Sequence, residues 1–180
     1  CCADCLGASA PSLSPSSQSG REHAMHTVPE QQNHPVMRGV KDMHAMAGAY
    51  SARSMPNSTI LATNRVLESM KVGAKPVGGK EPQPAAWVRT YTFKGGKEGR
   101  AFCSTQGASE DILSEGVRRM IINATLWCMN MEDNIQSDAD VSFVGSYNPT
   151  TFNFKPSITD AKPGDIEGWD TPILKPKKNK

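Results

Sequence analysis

The stretch "GRAFCSTQGAS", residues 99–109, holds the residue types closest to chemistry in this chain. Cys103 offers a nucleophile, and Thr-Gln-Gly follows it before a helix-like pattern begins. A strand, a tight loop and a helix are how many α/β enzymes present a nucleophile or cradle a ligand. A nucleophile elbow needs small residues two positions before and two after the nucleophile, because the strained turn brings the backbone close to itself. Around Cys103 those positions hold Ala101 and Thr105, there is no pair of glycines, and the cysteine precedes the turn. The simpler reading is a core thiol in a strand. In the loop 105–108, Gly107 permits positive φ or a close backbone approach. Free N–H groups at the following helix start would suit an anionic or hydroxyl ligand, and a plain connecting loop explains the same residues.

Other candidates are weaker. His23 and His26, in "REHAMH", would bring two imidazoles together if that segment were helical, but they sit in a polar region with no other helical signal. Cys2 and Cys5 make a lone C-x-x-C with no second pair and no histidine just behind it, so neither zinc nor haem follows. The acidic residues are scattered, and no paired-carboxylate glycosidase pattern stands out. The expectation is no metal and no cofactor.

Composition narrows the classes. The chain has 180 residues, 37% of them hydrophobic. Its mean hydropathy of −0.48 is low for a compact domain, which suggests a folded part diluted by polar flanks. The net charge of +2, from 20 basic and 18 acidic residues, is too balanced to argue for nucleic acid binding. The basic run "KPKKNK" at 175–180 reads as a solvated tail. No apolar stretch is long enough to span a membrane as a helix. The Ser/Pro-rich start after Cys1 has the composition of a lipoprotein tether. Secretion or a periplasmic location, with lipid anchoring at Cys1, is one expectation, and a truncated or mis-started reading frame is the other.

These residues must be positioned by few elements. Residues 1–33 lack a hydrophobic period and predict disorder or loose coil. His34-Pro35 starts an extended segment, and Gly39 permits a turn. "STILAT", 58–63, reads as a strand. Residues 64–83 read as a loop with a helical turn at 65–70. "AAWVRTYTF" at 85–93 and "RAFCST" at 100–105 flank a Gly-rich turn and predict a β-hairpin. Ser109 or Ser114 can cap a helix in which Val117, Met120, Ile121, Ala124, Trp127, Cys128 and Met131 recur at helical spacing. Arg118, Arg119 and Asn123 fall on its polar side. Residues 137–180 read as an extended arm and loose tail.

"HPVMRGV" at 34–40, "STILAT", "PAAWVRTY" at 84–91, "GRAFCSTQGA" at 99–108 and "EGVRRMIINATLWCMNMED" at 115–133 come in the order of a ThuA-like domain, the trehalose-utilisation family. The resemblance covers residues 34–136, the C-terminal half of such a domain, and looks closest to the planctomycete-type subgroup common among secreted proteins. It implies an α/β, flavodoxin-like fold, similar to class I glutamine amidotransferases, three-layered and incomplete at its N-terminal side. It implies a part in carbohydrate utilisation, with trehalose or a related sugar as small-molecule ligand. The substrate-binding residues would be Gln106 and Gly107 in the loop, His34 at the pocket rim and Arg89 on the "AWVRTY" strand. Ala108 stands where many relatives have His, which removes the best general acid or base in this half. The alternatives are a non-catalytic sugar-binding or interaction module, or a fragment without independent function. If part of the sheet is missing, the uncovered helix stripe would drive copies of the chain to pair.

Overall fold

The computed structural model describes residues 23–46, 52–54, 56–69, 74–149 and 162. They form a mixed α/β structure: one curled five-stranded sheet and one α-helix. The strands are β1 (His23–Thr27), β2 (Met43–Ala45), β3 (Thr59–Val66), β4 (Gln83–Thr92) and β5 (Glu98–Ser104), and the helix α1 is Glu115–Cys128. The sheet order is β2-β1-β3-β4-β5, and each neighbouring pair is antiparallel. Register shifts between Ile60, Ala62 and Thr63 interrupt the β3–β4 ladder. Such irregularities bend a strand and increase its twist, which is consistent with the curl.

The hairpin expected from the Gly-rich turn is present. β4 and β5 pair from Ala86 with Ser104 to Thr92 with Glu98, and Gly96 donates its amide to the Phe93 carbonyl in the turn. Three expectations change, the first being that the extended segment expected from His34-Pro35 is the 3-10 turn Pro35–Met37, with His34 alone extended as its cap. The coil reading of residues 1–33 gives way at His23, because 23–27 form β1, hydrogen-bonded between β2 and β3. Residues 21–22 and all before them lie outside the described part, as do Cys1, Cys2 and Cys5. The expected helical turn at 65–70 is absent over 65–69, where β3 runs on to Val66 and Leu67 bridges Pro76.

α1 lies across one face of the sheet, touching the edge strands β2 and β5. It buries Val117, Met120, Ala124 and Trp127, spaced three or four residues apart, against Met25, Met43, Leu61, Ala86 and Val88. Fully burying one such side chain stabilises by about 1.5–3 kcal/mol. This stripe finds its cover within the chain, which removes the motive for pairing through it; Met131, expected on the stripe, is exposed.

The polar side of the helix also differs from its expected form. Arg119 and Asn123 are buried. Asn123 Nδ2 donates to the carbonyls of Val36 at 3.1 Å and Arg38 at 2.9 Å, tying the 3-10 turn Pro35–Met37 onto the helix. Arg119 pairs with Glu115 at 2.9 Å. Gly39, at φ +70°, leaves no room for a Cβ against the Ser137 backbone. Thus Asn123 and the close packing at Gly39 account for much of the "HPVMRG" pattern.

Candidate functional site

β5 ends at Ser104 and the chain enters the loop 105–108, which the helix-side residue Asp111 organises. Gln106 N donates to Ser104 Oγ at 3.1 Å. Gly107, at φ +145°, and Ala108 donate their amides to Asp111 Oδ2 at 2.9 and 3.0 Å. Asp111 Oδ1 accepts the Met46 amide at 2.7 Å. Asp111 is fully buried, so its carboxyl group joins this loop to the end of β2 from inside the protein. The amides of Gly107 and Ala108 in the loop are therefore occupied. Ser114 takes the N-cap position of α1, but its Oγ accepts the His44 amide instead of a helix amide.

The unspent polar atoms at this junction belong to side-chain amides. Gln106 is only 5% exposed, and neither its Oε1 nor its Nε2 has a hydrogen-bond partner among the described residues. Asn64, reaching the same loop from β3, donates Nδ2 to Thr105 Oγ1 at 3.3 Å, and its Oδ1 has no such partner. Thr105 is fixed in turn, its N–H donating to the Ala85 carbonyl at 2.8 Å. A buried amide atom without a partner costs about 1–3 kcal/mol. Such a cost is ordinary where the group has a task beyond folding. Sequence reasoning found Gln106 and missed Asn64 and Asp111. The Asp four residues after Gly107 was a usable signal for a carboxylate that closes a loop on its own backbone.

His34 lies elsewhere. Its Nδ1 accepts the Val36 amide at 3.2 Å, capping the turn Pro35–Met37. Its ring packs on Trp127 at 5.6 Å between centroids. The Arg100 guanidinium covers the same indole at 4.9 Å and forms two bonds to Glu132, at 2.9 and 3.0 Å. Burial, and then the Arg100 charge, hold the imidazole below its usual range. With Nδ1 accepting, the neutral ring carries its proton on Nε2. Trp127 is in the last turn of α1, while Asp111 precedes its start, so the helix separates His34 from the Gln106 loop by roughly 20 Å at 1.5 Å per residue.

Arg89 pairs with Ala101 across β4 and β5. Alternation along β4 sets it with Trp87 and Cys103, on the face opposite Val88 and Phe102, which pack into the core under the helix. Arg89 Nε is buried and has no partner among the described residues. Cys103 is in the body of β5, and burial, helped by Cys128, pushes its thiol up. A thiol so shifted is a poor nucleophile at neutral pH.

A separate cleft of about 400 Å³ opens between the end of β1 and the connection leading to β2. His26 lines it. The helical spacing that would pair His26 with His23 does not arise, because this segment is a strand. Among the described residues no group of three or more side chains could hold a metal ion. No helix among them is long and apolar enough to cross a membrane.

No model of a known protein family matches this chain, and no curated protein and no solved structure is significantly similar to it.

Proposed function

We propose that the chain is the C-terminal part of a ThuA-like domain that recognises a carbohydrate, trehalose or a related sugar, at the β5-to-helix junction. The observation that carries this reading is the Gln106 side chain, buried to 5% exposure with both amide atoms unpartnered. A sugar hydroxyl both donates and accepts, so it can satisfy an amide of this kind. Asn64 Oδ1 adds an acceptor reaching the same loop. Gly107 keeps the approach free of a side chain, since even an added Cβ would meet nothing within 4 Å.

Binding without catalysis is the form the residues favour. Ala108 offers no acid or base, and the Asp111 carboxyl group is committed to three backbone amides. Within the finer reading of a flavodoxin-like three-layer domain, these antiparallel strands would form a flank of the parallel sheet characteristic of such folds. His34 and Arg89 would not touch the same ligand, given the length of α1 and the opposite sheet face.

The test replaces Gln106 by leucine, close in volume and without polar atoms. If the amide is kept for a ligand, Gln106→Leu raises the melting temperature of the free protein and lowers the sugar-induced rise by the share that the junction contributes. A sugar panel including trehalose is read by thermal shift and by product formation. A lowered melting temperature in Gln106→Leu, together with no sugar shifting the parent protein, would sink the reading; turnover would sink its non-catalytic form.

A further inference from the structure

The cleft between β1 and the following connection stands apart from the junction, and its chemistry is specific. Its rim is polar: His26, Thr27, Gln32, Lys41 and Asp42. Its floor includes the buried, apolar Met37. One side is backbone around Gly39, whose positive φ and close packing on Ser137 fix the turn. A volume of about 400 Å³ is within the usual span for small-molecule sites.

Charge narrows the ligand class. An anion site presents net positive charge and a cation site net negative charge. Among the residues lining the cleft, one ammonium, Lys41, stands beside one carboxylate, Asp42, and the two offset. His26 is held below its usual range by burial, then by Arg65 and by His44, which favours the neutral imidazole. Gln32 gives a donor and an acceptor, and Thr27 gives a hydroxyl. The apolar floor suits the C–H face of a ring.

We propose that this cleft binds a small neutral polyol of one- or two-ring size, with Gln32 and Asp42 bonding its hydroxyls and Met37 beneath its ring. This does not rest on the reading of the Gln106 junction, because the two sites share no residue.

The test keeps the ring and varies its charge. The full chain is titrated with glucose, glucose 6-phosphate and glucosamine while the His26 imidazole resonances are followed by NMR. Glucose is expected to move them at lower concentration than either charged analogue. Gln32→Ala, removing one hydrogen-bonding group, should weaken glucose by about fivefold. Asp42→Asn should turn the preference toward glucose 6-phosphate. Gln106→Leu should leave the His26 response unchanged, so failure at the junction and failure at the cleft are told apart. No response to glucose at its solubility limit overturns the proposal. So does an equal response to all three probes, or a response lost in Gln106→Leu and kept in Gln32→Ala.

Discussion

The Asp111 carboxyl group, fully buried, accepts the Gly107 amide at 2.9 Å. The same oxygen takes Ala108, and the other takes Met46, the residue after β2. One side chain therefore shapes the loop beside Gln106 and joins it to the end of β2. Asp111→Ala leaves three amide donors without their acceptor, and the expected loss is about 3 kcal/mol, read by urea unfolding. Asp111→Asn keeps one acceptor oxygen and should lose less. A loss under about 1 kcal/mol in the alanine variant would show that the loop holds its shape by other means.

Gly116 gives a prediction with the sign opposite to helix propensity. Gly to Ala inside a helix ordinarily stabilises by about 0.5–1 kcal/mol. At Gly116 an added Cβ would press on the Asp42 carbonyl oxygen and lie 2.9 Å from Met43 Cγ. The helix and β2 would have to separate, so Gly116→Ala is expected to cost about 1–3 kcal/mol. A raised melting temperature would refute the close approach.

The third prediction concerns pH. The folded-state value of His34 lies below the usual 6.5, because burial and then Arg100 disfavour the imidazolium. The unfolded chain then binds more protons as pH falls past that usual value, and stability rises with pH there. This contribution is complete above the usual value and is lost as pH falls through the folded one. His26 shifts in the same direction, by burial and then by Arg65 and His44. His34→Asn keeps an acceptor for the Val36 amide and removes the titration, so its stability should fall less steeply on acidification from neutral pH, in a range above that where carboxylates titrate. Identical slopes for the two proteins in chemical unfolding at several pH values would remove His34 from the account.

Local order was legible in the residues. The β4–β5 hairpin followed from two β-branched and aromatic runs around a Gly-rich turn, and α1 followed from its three-and-four spacing. Both elements close most of their bonds within a short span of chain, so period and turn chemistry suffice. The candidate site was legible only in Gln106 and Gly107. Nothing local says that a glutamine in a loop is buried with its amide unspent.

β1 shows where sequence reading stops. "HAMHT" carries one large apolar residue, Met25, and its strand state comes from pairing with β2 and β3 on either side. Asn123 makes the same point. By sequence alone it belongs with the polar residues of an amphipathic helix. In the structure it is buried, since the carbonyls of Val36 and Arg38, 87 and 85 residues away, satisfy it. The chain's own sequence determined its hairpin, its helix and the absence of an apolar stretch long enough to span a membrane as a helix. The tertiary structure decided which polar groups go inside and which of those find partners, because a buried polar group's free energy depends on what the rest of the chain brings to it.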